Sequence, residues 1–389
     1  MICGLAACGK GEEKSGLTLA YDVMTPGLSR MIKDYNAANP DCQITAAAYD
    51  LEADSDRLRV MAITDEGPDI YAFSYCDPFS GAKKLPYLDL LPYLDADDTY
   101  GREAIVPQLF EALTAAETLM ALPLSFDIDT FTAPAALVGD VTGITMADAE
   151  KAAAEAGMNI FPSWMDTETL LQYVFYYSMD RFIYAQNGAC DFENPDFEAY
   201  LTACAAHKTS DPSDGMPKGA EGGLLLNAPI SDFQSYGWMM KNRDNGNSRL
   251  VGFPTEKANG SSFKLRQRFS ISSGCKRPEL AWAFVRMALD QRYASSKDGY
   301  GFSAINAVFE NKKAAALNGS NGLDKISPVY IDMLDELMDT IDYVIYGRDN
   351  RIFNIILDKT APFFAGEIDA KEAAADVQSA VTLYLEERK

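Results

Sequence analysis

Histidine is almost missing from this sequence: 389 residues hold one, His207. That scarcity leaves no ligand set for a zinc site of Cys and His, because the seven cysteines contain no C-x-x-C pair. H-E-x-x-H is impossible, and neither G-x-S-x-G, G-x-x-x-x-G-K-[ST] nor G-x-G-x-x-G occurs. Positive charge is also scarce, with 34 Lys and Arg against 57 Asp and Glu, a formal net charge of -23. A polyanionic nucleic acid would be repelled, and no basic stripe offsets the imbalance. No apolar run reaches the length of about 18 residues that a membrane-spanning helix needs. Internal repeats are missing too. His207, beside Lys208, has no nucleophile partner and reads as a surface or capping residue.

What is present is a globular composition, 48% hydrophobic and 11% aromatic. The length exceeds one ordinary core and predicts two domains or one large α/β unit. Leu17 to Tyr21, Gln43 to Tyr49 and Asp69 to Phe73 read as strands. Helices are predicted between them: Pro26 to Asn39, with Leu28, Met31, Ile32 and Tyr35 at 3.6-residue spacing, and Ser55 to Thr64. A βαβαβ order implies a parallel sheet whose ligand site lies in the loops beyond the strand C-termini.

Leu119 to Ile128 is apolar and extended, suited to carrying the chain from one lobe to another. Thr145 to Ala205 reads as mostly helical, and the Tyr173 to Tyr177 cluster as helix packing. Thr209 to Gly223 is a loop. Arg249 to Pro254 and Phe269 to Ser272 are further strands. Glu279 to Leu289 is a helix with Trp282 in the core, and Ala370 to Glu387 an amphipathic one. Cys42, Cys76, Cys190, Cys204 and Cys275 read as buried free thiols, Cys190 and Cys204 being the pair to test first for a disulfide.

Six segments resemble, in order, the extracellular solute-binding proteins of carbohydrate-type bacterial ABC importers. They are Gly67-Pro68-Asp69-Ile70-Tyr71, Leu88 to Asp95, Leu119 to Pro123 (Met120 standing where the aromatic is usual), Val251 to Glu256, Pro278 to Val285, and Phe364 through Leu385. The resemblance spans nearly the whole chain. It implies an α/β, two-lobed periplasmic-binding-protein-like fold of type II, each lobe a sheet flanked by helices, joined by hinge crossover strands. Residues 17–125 plus 268–300 would form the N-terminal lobe, and 126–267 plus 301–389 the C-terminal lobe. The implied function is capture of a sugar or oligosaccharide in the interlobe cleft by a monomer that delivers it to the membrane permease, with no cofactor and no catalysis. A sensing or adhesion role on the same scaffold is the alternative, and a carbohydrate-active hydrolase a more distant one. Among 57 acidic residues some carboxylate pair always lies close, so proximity argues little for a glycosidase.

A sugar cleft sets aromatic faces against ring C–H groups and planar polar side chains against vicinal hydroxyls. The candidates in the first lobe are Tyr21, Asp22, Thr25, Ser74, Tyr75 and Asp77. At the crossover stand Ser125, Phe126 and Asp127, with Asp129 beyond. Trp164 and Trp238 are the second-lobe aromatics outside a plain core pattern. Arg266 and Arg268 precede the Phe269 strand, and Arg268 joins the set. At the other end of the chain, Leu5-Ala6-Ala7-Cys8 fits a lipobox with Cys8 as the acylated residue, and Gly9 to Gly16 a flexible tether. That reading expects an anchor on the outer face of the cytoplasmic membrane. Only seven residues precede Cys8 where a signal needs a basic region and an apolar run of about 7–15 residues, so it expects the true start upstream.

Overall fold

The computed structural model describes residues 16–51, 53–64, 66–74, 77–79, 85–184, 188–207, 223–294, 301–345 and 349–387. Cys8, the tether up to Ser15, Tyr75 and Cys76 lie outside the described residues. The strands are β1 (Leu17–Tyr21), β2 (Ile44–Ala48), β3 (Ile70–Phe73), β4 (Leu122–Asp129), β5 (Phe131–Pro134), β6 (Ile183–Tyr184), β7 (Ala189–Cys190), β8 (Leu226–Asn227), β9 (Ser248–Leu250), β10 (Ser262–Ile271), β11 (Phe302–Ser303) and β12 (Val344–Ile345).

The opening βαβαβ unit forms as its periodicity predicts. Helix Pro26–Ala38 starts on the Thr25 hydroxyl, which accepts the Leu28 N–H, and Pro26 fills a position whose N–H would go unpaired. Its buried side is Gly27, Leu28, Met31 and Tyr35. β1 pairs in parallel with β2 and β3. The full sheet runs β11-β4-β10-β3-β1-β2, with β12 also on β10. β10 is antiparallel to both β3 and β4, so the long strands β4 and β10 lie side by side at its middle.

One face of this sheet carries the larger core. Leu122, Leu124, Phe126 and Ile128 of β4 meet Phe263, Leu265, Phe269 and Ile271 of β10 there, as alternation along a strand requires. Phe126 is fully buried among Phe263, Phe302 and Phe309, at centroid distances of 5.4, 5.6 and 6.1 Å. The opposite face is covered at β1 and β3 by a small aromatic cluster of Tyr71, Phe73, Phe79 and Tyr87, with Leu58 of helix Ser55–Ile63.

A second core is built mainly from helices Met146–Ala156, Thr167–Ser178, Pro195–Ala206, Asn350–Phe364 and Ala370–Glu387. They enclose Phe131, Phe161, Phe175, Phe197, Tyr200 and Phe253 around the small sheet β8-β5-β9. Ala374, Val377, Val381 and Leu385 of the last helix are buried as their spacing predicts, and Trp282 is buried in the first core with its indole N–H donating to Asp97 at 3.1 Å. Cys42, Cys190, Cys204 and Cys275 are free thiols, so Cys190 and Cys204 do not pair.

Two expectations need correction. Segment 302–344, assigned from the sequence to the second lobe, belongs to the first core: β11 pairs with β4, β12 with β10, and Phe302 and Phe309 close over Phe126. Ile230, Phe233, Tyr236 and Met240 are in that core as well. The strand expected from Arg249 to Pro254 stops at Leu250, because Gly252 turns the chain with φ +68°.

Candidate functional site

Where β4 and β10 run on toward the second core, the sheet face opposite Phe126 turns polar. Alternation puts Ser125, Asp127 and Asp129 of β4 beside Lys264, Arg266 and Arg268 of β10 on that face. Three ion-pair rungs result. Arg268 reaches Asp77 at 3.3 Å, Arg266 pairs with Asp127, and Lys264 stands 3.8 Å from Asp129. Above the last rung, from the second core, the Tyr176 ring lies 5.8 Å from the Lys264 ammonium. Tyr176 is 41% exposed and rests edge-on against Tyr177, which packs on Phe131 just past the end of β4.

The carboxylate of the innermost rung has further partners within the protein. Asp77 also accepts the Phe79 N–H at 2.9 Å and the Tyr87 hydroxyl at 2.8 Å. Burial and the adjacent Asp77 charge push the Tyr87 phenol well above its ordinary range, so it stays a donor. At the middle rung, burial raises the Asp127 carboxyl above the usual carboxylate range, against the opposing pull of Arg266 and the Ser231 hydroxyl.

The strand-end loops of the first core border this face. Asp22 accepts the Ser74 N–H on both carboxylate oxygens, at 3.0 and 2.9 Å, and so braces the loop after β3 against the loop after β1. Thr25 donates to Gln267 of β10 at 2.7 Å. The Ser74 hydroxyl and one Asp127 oxygen are buried and lack a hydrogen-bond partner among the described residues. A cavity of about 480 Å³ adjoins Asp127 through Gly301; Asp232, Gln234, Gln291, Asn311 and Lys312 supply its polar wall.

On the far side the crossing strands are tied together. The Thr130 and Ser261 hydroxyls meet at 2.8 Å. Arg181 donates to the carbonyls of Asn259 and Ser261 at 3.2 and 3.1 Å, with its guanidinium over the Tyr343 ring.

The structure thus brings Asp22, Ser74, Asp77, Asp127 and Arg268 to one region, whereas Tyr21, half-buried, packs against the first core in phase with Leu17 and Leu19. It places Phe126 on the opposite face, where it is core, because adjacent strand residues point to opposite sides. Trp164 is 43% exposed in the turn before helix Thr167–Ser178. Trp238 is 69% exposed on helix Phe233–Asn242, whose buried side joins the first core. Sequence reasoning missed Lys264 and Tyr176. The alternation Phe263-Lys264-Leu265-Arg266 carried a strand signal for the first, and the exposure of Tyr176 within a tyrosine-rich helix carried none.

Burial pushes the Cys204 and Cys275 thiols up to about 12, so both are protonated at neutral pH and poor nucleophiles. Among the described residues no group of three His, Cys, Asp or Glu is placed to hold a metal ion, and no helix is long and apolar enough to cross a membrane.

Two cores joined by paired strands, with a polar face between them, define the fold of periplasmic binding proteins, and the solved structures that superpose on this chain have it. No protein-family model matches the sequence, and no curated protein matches it. The sugar-binding protein of Xanthomonas citri superposes with a TM-score of 0.58 at 13% identity, covering 96% of this chain and 98% of its own. The cyclic α-maltosyl-1,6-maltose binding protein of Arthrobacter globiformis gives 0.55 at 15%, covering 96% and 99%. An ABC substrate-binding protein from Listeria monocytogenes, in complex with cycloalternan, gives 0.54 at 13%, covering 96% and 100%. Over almost the whole chain, then, these structural neighbours are sugar-binding proteins, the Listeria one an ABC substrate-binding protein.

Proposed function

We propose that the protein captures an uncharged sugar or oligosaccharide between its two cores and hands it to an ABC permease. The observation that carries the reading is the polar face of β4 and β10. Its three cations each have a carboxylate partner, so the face offers many hydrogen-bonding atoms and little net charge. Hydroxyl groups suit such a surface, taking hydrogen bonds from Lys264 and Arg266 and giving them to Asp127 and Asp129. Tyr176 supplies the exposed aromatic ring on which the apolar face of a sugar can lie. The cores approach one another by bending at the tied strands near Thr130 and Ser261, as two-lobed binding proteins close on their ligands. The sugars named for the neighbouring structures support the same ligand class.

No step of this reading breaks a bond. The test is a thermal-shift screen of neutral mono- and oligosaccharides, followed by calorimetry on the hits and chromatography of the mixtures. A native-state ligand at about 100 times its Kd stabilises by about 2.7 kcal/mol, which is readily seen. Cleavage products in those mixtures would overturn the non-catalytic reading. Acylation at Cys8 belongs to the same proposal; a labelled fatty acid should enter the exported protein and not its Cys8→Ala variant.

A further inference from the structure

The two cores also touch away from the polar face, through charge. Arg351, on the second-core helix Asn350–Phe364, reaches Asp56 of helix Ser55–Ile63 at 3.1 Å. Leu58 on that same short helix is buried against the first sheet, whereas Ile352 and Ile356, beside Arg351, are buried in the second core. The ion pair therefore joins elements whose apolar anchors belong to different cores. Both of its ends are braced. Asp349 caps the helix that carries Arg351, accepting its main-chain N–H at 2.9 Å, and also accepts the Tyr384 hydroxyl at 3.0 Å. Arg59 donates to the other oxygen of Asp56 at 3.1 Å and to the Pro78 carbonyl at 2.5 Å. Pro78 directly follows Asp77, the carboxylate of the innermost rung.

We propose that the Asp56–Arg351 pair is an electrostatic latch that favours the closed relation of the two cores, connected to the ligand face through Arg59, Pro78 and Asp77. The proposal rests on the reading that the cores move as two bodies, and not on which ligand they hold. Both side chains are more than half exposed, so the pair adds little to the stability of either core. An opening equilibrium is more finely balanced than unfolding, and there a small bias matters. Loss of the pair should shift the closed-to-open ratio toward open by about two- to fivefold at low salt.

Small-angle scattering of the full chain without sugar tests this. Arg351→Gln and Asp56→Asn should each raise the radius of gyration at low salt. The double variant should open no further than either single one, because the two side chains act as one interaction. At about 1 M salt, where the screening length is about 3 Å, the wild type should approach the variants. Lys359→Gln is the charge-matched control, since Lys359 pairs with Asp358 on its own helix and should leave the scattering unchanged. Superimposable curves for wild type, Arg351→Gln and Asp56→Asn at low salt overturn the latch, as does equal opening by Lys359→Gln. Sugar binding is measured separately: a latch seen without any sugar bound by the wild type removes the proposed ligand and keeps the latch, and the converse removes the latch alone.

Discussion

The Arg268 guanidinium lies 3.3 Å from the Asp77 carboxylate, and 3% and 4% of the two side chains remain exposed. A pair so far from water is costly to split, because the surviving charge has nowhere to go. Arg268→Ala and Asp77→Ala should each cost about 3–5 kcal/mol, read from urea denaturation. Replacing both together, as Arg268→Met with Asp77→Leu, should cost less than the sum, since neither charge is then left alone.

Tyr176 should matter to binding and hardly at all to folding. Its ring is partly in water, so Tyr176→Ala should leave the melting temperature of the free protein within a degree or two. Sugar affinity measured by calorimetry should fall about tenfold, the loss of one stacking platform, whereas Tyr176→Phe should keep most of it.

His207 is the sole histidine, which makes the acid side of the stability curve unusually easy to assign. Burial lowers its pKa below the ordinary value, and its Nε2 lies 3.1 Å from the Met165 carbonyl. The unfolded chain therefore takes up a proton before the folded one does. The stability this residue supports is complete above about pH 6.5 and is lost as pH falls below that value toward the folded pKa. Denaturation of wild type and His207→Gln from pH 7.5 to 5 should show a shallower decline for the variant. Parallel curves would contradict the assignment.

Gly260 faces the backbone of Phe253 so closely that a methyl group would overlap its carbonyl. Gly260→Ala should destabilise by about 3 kcal/mol, the upper end of overpacking costs, and should disturb the start of β10 first. Hydrogen exchange of the amides of Ser262 and Phe263 would show that local opening.

The first sheet was legible because β1, β2 and β3 are short apolar runs separated by two helices, the first of them amphipathic and capped by Thr25, so local signals agree with the final structure. β10 was read only from Phe269 onward. Its first seven residues carry Lys264, Arg266 and Arg268, whose charge masks an alternation that the buried Phe263 and Leu265 complete. The site divided along the same line. Asp127 and Phe126 are neighbours on a crossing strand, and the structure puts the first on the polar face and the second in the core, because the direction of a strand's alternation is fixed by its partners. Tyr176 could not be separated from Tyr173 and Tyr177, since exposure within one helix turn depends on which element packs above it. Segment 302–344 was assigned to the wrong core for a related reason: β11 and β12 are two residues each, and their pairing is decided by long-range contacts.

β10 occupies the slot between β3 and β4, although both of those strands precede it by more than a hundred residues. Until Ser262 to Ile271 has emerged from the ribosome, the sheet is an unfilled gap with two open hydrogen-bonding edges, and Phe126 has no Phe263 to lie against. Contacts of that sequence separation form slowly and leave strand edges exposed while they wait. The growing chain therefore stays pliable through most of its synthesis, and the order in which its strands are made sets when the sheet can close.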